Sequence, residues 1–353
     1  MNQGIYSLLH EGTVIPAHPL ALDRDLMLNE ERQRALTRYY MASGAGGVAV
    51  GVHTTQFEIR DPAFNLLEPV LRLAAEEIDK AGPERPFIKV AGISGPVDAA
   101  LKDAELARKY GYHLGLLSTG GLAELSEKAL IERAKAVADI IPLFGFYLQP
   151  AVGGRRLSYD FWREFASIPN VHAIKVAAFN RYQTIDVVRA VCDSGRSGEI
   201  ALYTGNDDNI IIDLLTPYRF VVNGKVTEKR FTGGLLGHWA VWTGKAVQYL
   251  AEVKQCIGNA YADVDRLLTL NTIVTDMNAA IFDAANAYKG SIAGVHEVLR
   301  RQGLMEGIWC LSPQEKLSPG QLEEIDRICR AYPEHMDDAF VRAFLQRNNL
   351  TRP

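Results

Sequence analysis

The sequence predicts an α/β protein built as a (β/α)8 TIM barrel with a C-terminal helical appendage, and three observations predict it. Between Gly12 and about Leu236, eight short β-branched runs alternate with longer amphipathic helical patterns, the signature of a parallel sheet covered by helices. No glycine-rich GxGxxG turn follows the first run, as it would in a doubly wound sheet. Beyond the helical pattern at about Gly237–Ile257 the strand signals stop and only helical patterns remain.

The candidate strands are Thr13–Pro16, Gly47–Val52, Phe87–Gly92, His113–Leu117, Leu143–Leu148, Val171–Ala177, Glu199–Tyr203 and Phe231–Leu236. Between them, Asn29–Ser43, Leu66–Ala81, Val97–Tyr110, Leu125–Ile140 and Thr184–Cys192 carry apolar residues at helical spacing. Gly44, Gly82 and Gly111 stand where helices often end. In Arg219–Phe231, Asn223-Gly224 divides two alternating runs, a strong hairpin signal, so a β-hairpin is inserted ahead of the eighth strand. The predicted domains are a barrel over 1–258 and a helical domain over 259–353, with helices at Val264–Asn286, Ile292–Gln302 and Gln321–Ala331.

Bulk properties narrow the function. The net charge is −4 and the basic residues are scattered, which argues against a nucleic-acid partner. No stretch approaches the roughly 20 apolar residues that span a bilayer, and the N-terminus has no secretory pattern, so the expected location is cytoplasmic, away from membranes. Cys192, Cys256, Cys310 and Cys329 form no CxxC pair and no Cys/His spacing suited to zinc; they read as free thiols, and no metal site is expected.

Side chains of a barrel strand alternate between the interior and the helix layer. In the sixth strand Ile174 and Val176 suit the helix layer, which turns Ala173, Lys175 and Ala177 inward. A buried amine is driven toward its neutral form. An ordinary lysine is only about 0.04% neutral at pH 7; a pKa of about 7–8 raises the nucleophilic fraction by up to about a thousandfold, equivalent to about 4 kcal/mol of barrier. Lys89, in the near-copy Phe87–Gly92, is a rival that periodicity alone does not dismiss. The neighbouring strand favours Lys175: with Phe144, Phe146 and Leu148 facing out, Gly145 and Tyr147 face in, bringing a proton-carrying phenol beside the amine. At the end of the second strand, His53-Thr54-Thr55 offers two hydroxyls and a turn able to hold a carboxylate. His53 and His238 read as structural residues.

These features together resemble the dihydrodipicolinate synthase and N-acetylneuraminate lyase family, Schiff-base aldolases and lyases that act through pyruvate or a related 2-oxo acid. The segment Gly51–Glu58 is similar to the family's GTTGE loop, with Gln56-Phe57 in place of its glycine. Tyr147-Leu148-Gln149-Pro150 is similar to YNxP, and Ala173–Ala177 to GIKxA, with Tyr147 and Lys175 separated by 175 − 147 = 28 positions as in the family pattern. Thr204-Gly205-Asn206-Asp207-Asp208 resembles SGDD, and Gly303–Gly307 with Leu311-Ser312-Pro313 resembles the closing motif.

The resemblance implies that Lys175 is the imine nucleophile, that Tyr147 relays protons, and that Thr54 and Thr55 hold the substrate carboxylate, Thr55 also joining the relay. It places Gly205 and Val152 at the substrate. It further implies a 2-oxo acid as partner, a homo-oligomer (tetramer or dimer) and no cofactor. Val152 stands where the synthases carry an arginine for a second carboxylate, so a true dihydrodipicolinate synthase is disfavoured. The loop Ser118–Gly121 lacks the relay tyrosine of many members.

Three alternatives stay open: an imine-dependent sugar-acid dehydratase, a catalytically silent ligand-binding relative, and a barrel that cradles a phosphate on Thr232-Gly233-Gly234. Trp239 and Trp242 either pack the last barrel helix or line a wider apolar pocket, the latter suiting a bulky or aromatic aldehyde.

Overall fold

The computed structural model describes residues 1–350. Eight parallel strands form the barrel: β1 (Val14–Pro16), β2 (Gly47–Val50), β3 (Ile88–Ile93), β4 (Leu114–Leu117), β5 (Leu143–Leu148), β6 (Val171–Ala177), β7 (Ala201–Thr204) and, after the hairpin β8 (Tyr218–Val222) and β9 (Lys225–Lys229), β10 (Phe231–Leu236). Each expected strand is present, displaced by at most two residues at its ends. The sheet runs from β2 through β3, β4, β5, β6, β7 and β10 to β1. The seam between β1 and β2 is closed by an Ala17/Ala49 bridge, with His18 N donating to Ala49 O at 2.8 Å and Gly46 N to Val14 O at 3.1 Å.

Two cores divide the apolar side chains. The inner one holds Ile15, Ala49, Ile88, Val90, Leu114, Leu116, Phe144, Phe146, Ala173, Tyr203 and Leu235. The other lies between strands and helices and includes Ile174, Val176 and Leu202. The N-terminal end of the barrel is plugged by the helix Gln3–Glu11, whose Ile5 and Leu9 join the inner core while Tyr203 Oη donates to Leu9 O at 3.0 Å. The sequence pattern gave no helix there.

The helices Val264–Ile281, Ser291–Gln302, Gln321–Ala331 and Asp338–Arg347 form the tail. Leu267, Val274, Val298, Ile325 and Val341 from these helices belong to the same core as the barrel's outer layer. The helical tail packs against the outer layer of the barrel.

The alternation predicted for β5 is corrected. Phe144, Phe146 and Leu148 face the interior, and Gly145 and Tyr147 face the helices. The cause lies in the pairing with β6. Leu143 pairs with Val171, an interval of 171 − 143 = 28, but the next pair is Phe144 with Ala173, an interval of 29, because the register shifts at His172. One extra residue reverses the face that each later position shares. Phe146, not Tyr147, therefore stands beside Lys175, and Tyr147 stands beside Val176. Outward Gly145 leaves room for Phe165, whose Cε1 would lie 2.5 Å from an added Cβ.

Candidate active site

A cavity of about 50 Å³ opens at the C-terminal ends of the strands, the face where barrel enzymes place their chemistry. At about 10–15 Å³ per water it has room for about four. Lys175 lies in its wall with Thr54, Phe146, Gly205 and Asp207. It shares Val152, Tyr288, His53 and Ser291 with an outer cavity of about 460 Å³.

Lys175 is 7% exposed, with its Nζ 4.3 Å from the centroid of the Phe146 ring. Burial lowers its pKa, and the carboxylate of Asp207 pulls it partly back. Asp207 is 4% exposed and is shifted the other way: burial raises its pKa, opposed by the amide of His238, which donates to Oδ1 at 2.9 Å, and by Lys175. Desolvation heads the causes for both groups, so the low-dielectric site brings the titrations of amine and carboxyl close to neutrality, at about 8 and about 7, and enlarges the uncharged fraction of each. An uncharged amine attacks carbonyls, and a carboxyl that titrates near neutrality can both give and take protons.

Gly205 makes room for the lysine. A Cβ there would lie 2.5 Å from Lys175 Cε and 2.9 Å from Ala177 Cβ. Its amide donates to Val176 O at 2.7 Å, which ties the turn after β7 to β6.

The turn His53–Thr55 follows β2 as expected, but its hydroxyls are occupied. Thr55 is fully buried, accepts from the amides of Gly51 (3.0 Å) and Val52 (3.1 Å), donates to His18 O at 2.7 Å, and does not line the cavity. Its expected roles in the relay and in binding carboxylate are thus corrected to holding the turn. Thr54 does line the cavity, while its hydroxyl donates to Ala17 O at 2.9 Å. His53 is also at the wall, and burial with the nearby Lys175 charge lowers its pKa to about 4, leaving a neutral imidazole.

Gln56, in the place of the expected glycine, adopts φ 69°, a left-handed backbone that strains a side chain. Its buried Oε1 accepts from Leu311 N at 2.7 Å, so a contact with the closing motif holds the conformation that glycine adopts freely.

Tyr147 is not in the site. It stacks on Trp162 at 5.3 Å, donates to Gln183 Oε1 at 2.8 Å, and is absent from the cavity lining. Trp239 and Trp242 are buried beside His238, Tyr249 and Met277 and do not line the cavity either; the reading in which they pack the last barrel helix is the one observed. The apolar wall comes from Phe146, Phe179 and Phe282 instead. Lys89 faces outward and pairs with Asp79 at 2.9 Å. In Thr232-Gly233-Gly234 a Cβ on Gly233 would meet Thr13 O at 2.3 Å, so this glycine serves the close approach of β10 to β1.

Residue reasoning gave no role to Asp207, although its motif was in view, nor to Phe282, Tyr288 and Ser291. The last three reach the site from the tail, in a stretch with no distinctive spacing. Among the described residues no cluster of His, Cys, Asp and Glu suits a metal ion, and no helix is long and apolar enough to cross a membrane.

No family model matches the chain. It is similar to N-acetylneuraminate lyase 2 of Escherichia coli O6:H1, 24% identical over 326 residues that cover 91% of this chain and 95% of that one. It is also 31% identical to the 4-hydroxy-tetrahydrodipicolinate synthase of Caldicellulosiruptor bescii over 136 residues, 38% of this chain and 43% of that one. Among solved structures, a monomeric dihydrodipicolinate synthase variant superposes with a TM-score of 0.73 at 16% identity, covering 92% of this chain and 98% of that one. The N-acetylneuraminate lyase of Fusobacterium nucleatum superposes with a TM-score of 0.69 at 16% identity, covering 92% and 99%. The protein is a (β/α)8 barrel, and the relatives that it is similar to are named as lyases and synthases. In sequence and fold the chain is similar to members of the dihydrodipicolinate synthase and N-acetylneuraminate lyase family.

Proposed function

We propose that the chain is a Schiff-base aldolase in which Lys175 condenses with pyruvate or another small 2-oxo acid and makes or breaks the adjacent carbon–carbon bond. The observation that carries this reading is the amine itself, buried at the C-terminal mouth of the barrel with its pKa lowered by burial.

The uncharged Nζ attacks C2 of the 2-oxo acid, and the resulting carbinolamine loses water to give a protonated imine. In the cleavage direction the C3–C4 bond breaks, its electrons flow toward the imine nitrogen to leave an enamine, and the C4 hydroxyl loses its proton as the aldehyde departs. Protonation at C3 and hydrolysis then release the 2-oxo acid and the amine. Asp207 can carry protons between these steps, and Phe146 beneath the amine keeps water from it. Val152 lines the site where an arginine fork would grip a second carboxylate, which speaks against dihydrodipicolinate synthesis.

Treating the protein with pyruvate and sodium borohydride, then mapping the modified peptide, tests the reading. A reduced adduct on Lys175 supports it. Absence of an adduct with pyruvate and with longer 2-oxo acids contradicts it and favours a silent ligand-binding relative. Cytoplasmic location and a homo-oligomeric state go with the proposal, the latter checked by sedimentation.

A further inference from the structure

The proposed aldolase reaction needs a proton donor at the oxygen of the second reactant. In the condensing direction, the enamine carbon attacks an aldehyde carbon, the C=O electrons move onto oxygen, and that oxygen must take up a proton. Lys175 lines the inner cavity and not the outer one, so the carbon that reacts next points toward the outer cavity. The aldehyde carbonyl then lies where the two cavities meet. Four residues belong to both linings: His53, Val152, Tyr288 and Ser291. Val152 has no proton to give. A neutral imidazole and an alcohol are both much weaker acids than a phenol.

Tyr288 sits between the helices Val264–Ile281 and Ser291–Gln302, in a loop that is firmly held. Asp283 Oδ1 accepts from Asn286 Nδ2 at 2.6 Å and its Oδ2 accepts from Gly290 N at 3.1 Å, while buried Gln321 donates to Gly290 O at 3.0 Å. Asp283, Ala287 and Tyr288 all adopt left-handed backbone, with φ 56°, 54° and 66°. Such conformations cost on the order of 1–3 kcal/mol each and persist where surrounding contacts impose them. Their effect is to turn the Tyr288 ring edge-to-face against Phe179 with centroids 5.5 Å apart. Phe179 is itself left-handed, at φ 49°, and its amide donates to buried Asn206 Oδ1 at 2.9 Å. A tail loop and a barrel loop thus fix one aromatic pair across the mouth of the site.

We propose that Tyr288 is a catalytic residue of the aldol step: its hydroxyl protonates the aldehyde oxygen as the carbon–carbon bond forms and removes that proton during cleavage. The phenol oxygen that gives up its proton takes one from the carboxyl of Asp207, which carries the proton removed from C3 when the enamine formed, so the proton lost at carbon ends on the new hydroxyl and no outside acid is consumed. Burial and the carboxylates of Asp208 and Asp207 keep the phenol in its proton-bearing form at neutral pH.

This inference rests on the Schiff-base reading, and its test separates the two. Tyr288→Phe preserves the edge-to-face ring contact and removes only the hydroxyl. Wild type and variant are compared by borohydride trapping with pyruvate, by exchange of pyruvate methyl protons in deuterated water, and by condensation of pyruvate with a panel of sugar, aliphatic and aromatic aldehydes. The expected result is unchanged trapping and exchange with condensation reduced at least about 100-fold. Condensation within about threefold of wild type overturns the assignment, as does loss of exchange in parallel with condensation. A wild type that is never trapped, or that exchanges pyruvate protons yet condenses no aldehyde, ends the aldolase reading and this inference with it. An unchanged melting temperature shows that the variant is folded.

Discussion

The tetrapeptide Ile-Lys-Val-Ala occurs twice, at 88–91 in β3 and at 174–177 in β6, and the two copies do opposite things. Both lysines are nearly buried, at 6% for Lys89 and 7% for Lys175. In β3, Ile88 and Val90 fill the barrel and Lys89 points out, near the N-terminal end, to Asp79, whose side chain is 66% exposed. In β6 the phase is reversed: Lys175 and Ala177 point in, near the C-terminal end, toward the cavity. Lys89 pairs with a solvent-exposed carboxylate, whereas Lys175 has a desolvated carboxyl that is itself pushed toward neutrality. A buried lysine becomes a nucleophile through its face, its height along the barrel and the solvation of its partner, none of which the tetrapeptide encodes.

The sharpest way to break this comparison is to remove each amine in turn. Lys175→Ala should abolish borohydride trapping and lower turnover at least about 10⁴-fold, as expected when a covalent nucleophile is lost. Lys89→Met should leave turnover within about threefold and cost on the order of 1 kcal/mol or less in urea denaturation, since its partner is exposed. Similar losses from both substitutions would erase the distinction.

A smaller effect follows from crowding the lysine. Gly205→Ala places a methyl group where Lys175 Cε now lies 2.5 Å away, so the amine must move. Trapping by pyruvate should slow by about 10–100-fold while the fold persists, measured as single-turnover rates with circular dichroism as control. Unchanged rates would mean that Lys175 has freedom the packing denies it.

The smallest effect is expected at Tyr147. Tyr147→Phe removes the hydrogen bond to Gln183 and should cost about 1 kcal/mol of stability with turnover within about threefold. A hundredfold loss of turnover would restore the phenol to the reaction and refute the outward assignment.

The barrel was legible because each strand and helix carries its own periodicity, and even the inserted hairpin announced itself through Asn223-Gly224. Lys175 was legible because two small residues flank it on one face. Tyr147 was misplaced because Leu143–Leu148 is apolar on both faces, so alternation had no polar mark to fix its phase, and the one-residue shift at His172 is visible only in the pairing. The matched interval of 28 positions holds at Leu143/Val171 and fails one pair later. Trp239 and Trp242 lie close in sequence to β10 yet point away from its cavity, because proximity along the chain says nothing about direction. The contribution of the tail was illegible for a related reason. Tyr288 depends on three left-handed residues and on contacts with Gln321, and no local pattern spells out such a loop.

The central claim is that burial lowers the pKa of the Lys175 amine to about 8, so that a reactive uncharged fraction is present near neutral pH, and the pH dependence of its trapping by pyruvate and borohydride tests it most directly. A buried amine with a lowered pKa should be trapped faster as pH rises through its own pKa and then level off, with the midpoint well below the ordinary lysine value of about 10.4. A rate that climbs tenfold per pH unit with no plateau until about pH 10 would show an ordinary, solvated lysine and would contradict the account.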